Sequence, residues 1–166
     1  MKFHKDVISK LRQKIQAGID GNGCAEMYLR WWPENGFPAI EQTKAGRKDE
    51  YDYTAKDIDE AFAAFDNTAL MKITGLDLKY RRPQKLPGAV RGLRNLETLM
   101  LCNTGIIRLP DWLPELIHLK KLIVLDIRSE RGAKIANGLA SLVRMPWLEE
   151  LYWGDDYAGI LDVPDI

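Results

Sequence analysis

The chain has 166 residues, of which 46% are hydrophobic and 29% are charged, the composition of an ordinary globular protein of about one domain. Its 24 Lys and Arg residues balance its 24 Asp and Glu residues, which argues against a general polyanion binder because such proteins carry a basic excess. No apolar run reaches the roughly 18 residues of a membrane-spanning helix, and the first residues lack the apolar stretch of a signal peptide. We therefore expect a cytoplasmic protein that does not enter a membrane.

The N-terminal residues predict a helix followed by a strand. Residues 3–17 have the spacing of an amphipathic helix. Its apolar stripe consists of Phe3, Val7, Ile8, Leu11 and Ile15. Residues 20–24 predict a tight turn, because two glycines flank Asn22. Residues 26–32 are rich in aromatic side chains and predict a strand that ends at Pro33, with Trp31 and Trp32 pointing to opposite faces.

A charged segment and a second helix complete the N-terminal part. Half of the residues from 41 to 56 are charged, which predicts a surface loop. Thr54 and Asp57 have the spacing of a helix start. Ile58, Phe62 and Phe65 then face the core. Residues 1–69 therefore predict an α/β cap, in which no known family pattern is evident.

Cysteine and histidine provide little for chemistry. The chain has Cys24 and Cys102, which we expect to be reduced, and His4 and His118, of which His118 is predicted to be exposed. No CxxC or HxxxH pair is present, and the segment from Asp20 lacks the ligands of an EF-hand. We therefore expect no metal and no cofactor.

Four segments of the second half share the pattern apolar-x-x-apolar-x-x-apolar-x-apolar. They are Leu70/Ile73/Leu76/Leu78, Leu93/Leu96/Leu99/Leu101, Leu119/Leu122/Leu125/Ile127 and Met145/Leu148/Leu151/Trp153. The segments follow one another at intervals of 23, 26 and 26 residues. Between them, apolar residues recur at every third position. This repeat predicts short strands joined by helical returns, so that successive strands lie side by side.

The sequence of residues 96–110 matches the motif L-x-x-L-x-L-x-x-(N/C/T)-x-(L/I)-x-x-L-P nearly throughout, with Thr104 where asparagine is usual. The chain therefore resembles the leucine-rich repeat family over about residues 70–156. This resemblance implies an α/β fold: a short solenoid of about four parallel-stranded repeats behind the cap at 1–69, with a C-terminal tail at 157–166. The first repeat departs from the motif in its turn, and the third lacks the Leu-Pro pair, so its return predicts a longer helix.

The resemblance also implies a binding surface, because leucine-rich repeats mostly bind other proteins. Strand residues that lie between the leucines line the concave face in this architecture, and this rule assigns Val124 to that face as well. The predicted partner-binding residues are Asp77, Lys79, Tyr80, Met100, Asn103, Asp126, Arg128, Glu150, Tyr152 and Asp155. Residues 72–94 carry seven basic residues and one acid, whereas residues 149–166 carry six acids and no base. The solenoid would thus have a basic and an acidic end.

The sequence favours a non-catalytic module that binds another protein of unknown identity through this concave face and the acidic C-terminal edge. One version is a bacterial immunity or toxin-neutralising protein. Two alternatives stay open. The first is an enzyme whose site lies between cap and solenoid, where Cys24 and His4 would form a nucleophile pair. The second is contact with RNA through the basic segment Lys79–Lys85.

Overall fold

A computed structural model of the chain describes residues 2–27, 53–78, 85–102, 109–125, 139–154 and 161–162. The helices of this part are α1 (Lys2–Asp20), α2 (Ala55–Phe62), α3 (Asn67–Leu70) and three 3₁₀ helices, Gly88–Gly92, Leu113–Glu115 and Leu139–Arg144. The strands are β1 (Cys24–Glu26), β2 (Gly75–Asp77), β3 (Thr98–Cys102), β4 (Lys121–Leu125), β5 (Glu150–Gly154) and β6 (Leu161–Asp162).

All six strands form one sheet in the order in which they occur along the chain. Strands β1 to β5 are parallel, and β6 runs antiparallel to β5. Parallel neighbours need crossover connections, and α3 or a 3₁₀ helix lies in each connection from β1 to β5. The predicted α/β class with adjacent parallel strands is confirmed.

The same hydrogen-bond arrangement joins each parallel strand to the next. The carbonyl oxygen of the residue that precedes one strand accepts hydrogen bonds from two consecutive backbone N–H groups at the start of the following strand. The four acceptors are Gly23, Thr74, Glu97 and Lys120, at N···O distances of 2.7–3.1 Å. The first of them belongs to the N-terminal part, so β1 joins the sheet in the same way as the strands of the repeats.

The strand register corrects the predicted position of the third repeat. Leu99 pairs with Leu122 and Leu101 pairs with Val124, so the third apolar segment begins three residues earlier than the sequence pattern placed it. Aligned core leucines at 76, 99, 122 and 151 are therefore 23, 23 and 29 residues apart. The pattern was ambiguous because apolar residues at 116, 119, 122 and 124 fit it as well as those at 119, 122, 125 and 127.

Val124 consequently belongs to the core rather than to the concave face, and it is only 3% exposed. In the observed register, Ile123 pairs with Met100. It therefore occupies the position on the concave face that the sequence pattern had given to Asp126. The extra residues lie between β4 and β5, where the longest of the three 3₁₀ helices is found. This helix has six residues, against five in Gly88–Gly92 and three in Leu113–Glu115, and residues 126–138 of the same return lie outside the described ranges.

The returns are built from i→i+3 hydrogen bonds. The N–H groups of Leu93, Leu116 and Met145 donate to the carbonyls of the residues three positions earlier, each at 3.0 Å. A 3₁₀ helix has 3.0 residues per turn, so every third side chain faces the same side. This geometry explains the apolar spacing of three.

Helix α1 runs from Lys2 to Asp20 and therefore extends beyond the predicted 3–17. Four residues of its predicted stripe, Val7, Ile8, Leu11 and Ile15, are buried, and the side chain of Phe3 lies outside the described residues. The predicted turn is present, since Gly23 has φ of 85° and its N–H donates to the carbonyl of Gly18 at 2.8 Å. Strand β1 starts at Cys24, two residues before the predicted strand, and residues 28–32 lie outside the described ranges.

Helix α2 begins with the capping box that the sequence predicted, formed by Thr54 and Asp57. Ile58 and Phe62 are buried, and Phe65 packs against the core. The predicted surface loop at 41–56 is wrong at its end, because Tyr53 is 2% exposed and α2 starts at Ala55. The earlier residues of that loop lie outside the described ranges.

A close contact between α1 and β1 gives a first prediction. A Cβ atom added at Gly18 would lie 2.8 Å from the backbone oxygen of Cys24, which is too close for a non-bonded pair. We expect Gly18→Ala to lower the free energy of unfolding by about 1–2 kcal/mol through overpacking, although alanine normally favours a helix. Urea denaturation measures this change.

The matched control is Gly88→Ala, because a Cβ atom at Gly88 has no neighbour within 4 Å. Its free energy of unfolding should stay the same or rise by up to about 1 kcal/mol, since alanine restricts the unfolded chain. A Gly18→Ala protein at least as stable as the wild type would contradict the close packing of α1 on β1.

Candidate functional site

Side chains of the parallel strands alternate between two faces of the sheet. One face forms the core, and Ala25, Leu76, Leu99 and Leu122 are each at most 1% exposed there. The opposite face carries apolar, polar and charged residues, and we call it the mixed face. Two of its rows extend across all of strands β1 to β5: Cys24, Gly75, Thr98, Lys121 and Glu150, and Glu26, Asp77, Met100, Ile123 and Tyr152.

Most side chains of the mixed face are accessible. Glu26 and Glu150 are exposed, whereas Met100, Ile123 and Tyr152 are half-buried. Parallel sheets are usually covered on both faces and read as continuous hydrophobic runs. The mixed face departs from that rule. Acidic residues lie on β1 and β2 (Glu26 and Asp77), and a charged pair lies on β4 and β5 (Lys121 and Glu150), beside its apolar centre.

Four of the ten predicted binding residues lie in the described ranges, and all four are on the mixed face: Asp77, Met100, Glu150 and Tyr152. Asp77 is 6% exposed and has contacts of its own, so it presents little surface to a partner. The other six predicted residues, Lys79, Tyr80, Asn103, Asp126, Arg128 and Asp155, lie outside the described ranges.

Four residues of these two rows were not assigned to this face by the sequence analysis: Cys24 and Glu26 in β1, and Lys121 and Ile123 in β4. Lys121 and Ile123 were missed because the third repeat was placed three residues too late. Repeating the 23-residue interval of the first two segments would have identified both. Glu26 was missed because the N-terminal strand was not recognised as part of the same sheet.

On the mixed face, Lys121 of β4 contacts two residues of β5. Its Nζ lies 3.2 Å from Glu150 Oε2 and 5.4 Å from the centre of the Tyr152 ring. The side chains of this ion pair are 39% and 50% exposed, so the pair contributes little to stability. The pair does provide the Lys121 ammonium group with a carboxylate partner, and it keeps this ammonium group beside the Tyr152 ring.

Cys24 lies at the β1 end of the mixed face. Burial raises the pKa of the Cys24 thiol, and the negative charges of Asp77 and Glu26 raise this pKa further. A nucleophilic cysteine requires the opposite shift, because the thiolate is the reactive form. This environment therefore disfavours the Cys24 and His4 pair of the enzyme alternative, of which the His4 side chain lies outside the described residues.

The raised pKa predicts slow alkylation of Cys24. In a Cys102→Ala background, iodoacetamide should label Cys24 more slowly than a model thiol at neutral pH. The pH at which the labelling rate reaches half its maximum should be higher for Cys24 than for the model thiol. Glu26→Gln removes one of the charges that raise this pKa, so it should move the pH profile to lower values. Glu97→Gln is the control and should leave the profile unchanged. A wild-type profile at or below the pH of the model thiol would contradict the prediction.

The junction between the N-terminal part and the first repeat contains a shallow groove of about 620 Å³. Phe65 of the segment after α2 and Arg94 are among the residues that line it. The one carboxylate of the described lining belongs to Asp59, and its Oδ1 accepts a hydrogen bond from the Ala89 N–H at 2.7 Å. Arg91 pairs with Glu115 at 2.8 Å. These groups provide no nucleophile and base pair for the enzyme alternative within the described lining.

Within the described ranges, no group of three or more His, Cys, Asp or Glu residues is placed to hold a metal ion, and His118 is exposed as predicted. None of the helices seen in these ranges is both long enough and apolar enough to cross a lipid bilayer. Protein-family models, curated proteins and solved structures were compared with the chain, and none of them matches it.

Proposed function

We propose that this chain is a short leucine-rich-repeat solenoid that binds another protein through its mixed face and has no catalytic role. The sequence motif at 96–110 and the strand–return alternation support the repeat assignment. The intervals of 23, 23 and 29 residues between aligned leucines also support it, because leucine-rich repeats are about 20–29 residues long.

The observation that carries the binding proposal is the apolar centre of the mixed face. Met100 and Ile123 are register partners on adjacent strands, and Tyr152 continues their row on β5. All three side chains are half-buried, so each keeps apolar surface that a partner would cover. Aromatic and apolar residues with a polar rim are the usual composition of a protein interface.

A capture experiment with matched variants tests this function. Tagged wild-type chain, Ile123→Asp and Val143→Asp are incubated with a lysate of the source organism, and captured proteins are quantified by mass spectrometry. Val143 is a suitable control because it is 70% exposed and lies on a 3₁₀ helix rather than on the mixed face. A partner of the mixed face is enriched by the wild type and by Val143→Asp and is lost with Ile123→Asp.

The captured partner is then purified and its Kd is measured by calorimetry. We expect Ile123→Asp to weaken binding at least tenfold, or about 1.4 kcal/mol, and Val143→Asp to change it less than twofold. Equal binding by the two variants would refute the mixed-face assignment. The immunity-protein version additionally requires that the partner be a toxic enzyme whose activity falls on binding.

A further inference from the structure

One row of the mixed face changes in chemical character from β1 to β5. In register order it consists of Glu26, Asp77, Met100, Ile123 and Tyr152, two acids followed by two apolar residues and one aromatic residue. Neighbouring strands are about 4.8 Å apart, so the backbone of Glu26 lies about 10 Å from that of Met100 and about 14 Å from that of Ile123. The row thus has an acidic end and an apolar end within the length of a short peptide.

The charge at the β1 end is available to a partner. Glu26 is exposed, and no salt bridge or side-chain hydrogen bond is present at it in the described part of the chain. The positive charge of Lys121 is already held by Glu150 on the far side of the row. Asp77 has contacts of its own, so Glu26 is the acid of this end that a partner can reach. The raised pKa of the Cys24 thiol is consistent with a negative potential at this end.

We propose that the mixed face binds a basic–apolar segment of its partner in one direction across the strands. A Lys or Arg of the segment faces Glu26, and an apolar or aromatic side chain packs between Met100 and Ile123. An extended chain advances about 3.3 Å per residue, so the basic and apolar positions are three to four residues apart. This inference rests on the proposed function and adds the chemistry and the orientation of the ligand.

Selection from a peptide library tests the inference even while the partner is unidentified. A phage-displayed library of random 12-residue peptides is selected on the immobilised full chain and, in parallel, on Ile123→Asp. We expect peptides enriched on the wild type to carry Lys or Arg three to four residues from an apolar or aromatic residue. These peptides should not be enriched on Ile123→Asp, and Tyr152→Ala replaces that variant if it does not fold.

A charge exchange tests the orientation. The most enriched sequence is synthesised, and its Kd is measured for the wild type, Glu26→Lys and Asp111→Lys. Glu26→Lys should weaken binding about five- to tenfold, because an exposed attraction becomes a repulsion, whereas Asp111→Lys, on a return segment, should not. A second peptide with the basic residue replaced by Glu should prefer Glu26→Lys over the wild type.

The possible failures are distinguishable. Peptides that depend on Ile123 but show no basic residue, or that bind Glu26→Lys as well as the wild type, would overturn this inference and leave the proposed function standing. A selection that yields no peptide dependent on Ile123 or Tyr152 would count against both. Binding that requires only the basic residues of the peptide would also overturn this inference and would indicate a charge-driven contact.

Discussion

Replacing Val124 by aspartate is expected to unfold the protein, whereas the same change at the adjacent Ile123 is expected to leave it folded. Val124 is 3% exposed on the core face of β4 and pairs with Leu101 and Trp153 on the neighbouring strands. An unpaired carboxylate at this position costs more than about 4 kcal/mol, which approaches the whole stability of a domain at the low end of the usual range of about 5–15 kcal/mol. Ile123 points to the mixed face, where the new carboxylate keeps contact with water.

Circular dichroism and urea denaturation measure this pair of variants. Ile123→Asp should retain the wild-type spectrum and lose about 1 kcal/mol, the average effect of a point substitution. Val124→Asp should lack a cooperative unfolding transition at 25 °C. The opposite result, with Val124→Asp folded and Ile123→Asp unfolded, would support the register of 26-residue intervals in which Val124 lies on the concave face.

Local features of the fold were predictable from the sequence. The stripe at Val7, Leu11 and Ile15 and the capping box at Thr54 depend on residues within one or two turns of a helix, so their spacing determines the structure. The apolar spacing of three in the returns was predictable for the same reason. The 3₁₀ hydrogen bonds that produce it connect residues only three positions apart.

Pairing between strands was less predictable because it depends on residues far apart in sequence. The third repeat was misplaced because Leu119 and Leu122 fit two registers, and only the pairing of Leu99 with Leu122 decides between them. Strand β1 was placed too late because Cys24–Glu26 has no apolar run. These three residues form a strand because they pair with Gly75–Asp77.

The same distinction applies to the candidate site: some of its residues were predictable from their sequence neighbours, and others depend on strand pairing. Met100 and Tyr152 were predicted, because the apolar residues of the repeat pattern that flank them fix the face on which they lie. Glu26 and Ile123 were missed, because their places on that face follow from the pairing of β1 and β4 with neighbouring strands. The acidic-to-apolar row emerges only when all five strands are aligned.

The second large prediction is that Leu99→Ala and Leu11→Ala weaken the same unfolding transition. Leu99 is fully buried in β3 and Leu11 is fully buried in α1, and both belong to one continuous hydrophobic core that extends from Val7 to Met145. Truncating either leucine removes buried methyl groups and leaves a cavity, so each variant should lose about 2–5 kcal/mol. Thr98→Ala is the matched control and should change stability by less than about 0.5 kcal/mol, because Thr98 lies half-exposed on the mixed face.

This prediction tests whether the N-terminal part and the repeats unfold together. Because the carbonyl of Gly23 joins β1 to β2 as Thr74 joins β2 to β3, we expect a single transition with coincident midpoints by circular dichroism and by tryptophan fluorescence. Both leucine variants should shift that midpoint to lower urea concentration without splitting it. Two separate transitions, with Leu11→Ala affecting one and Leu99→Ala the other, would show that the N-terminal part is an independent domain and not the first strand unit of a continuous sheet.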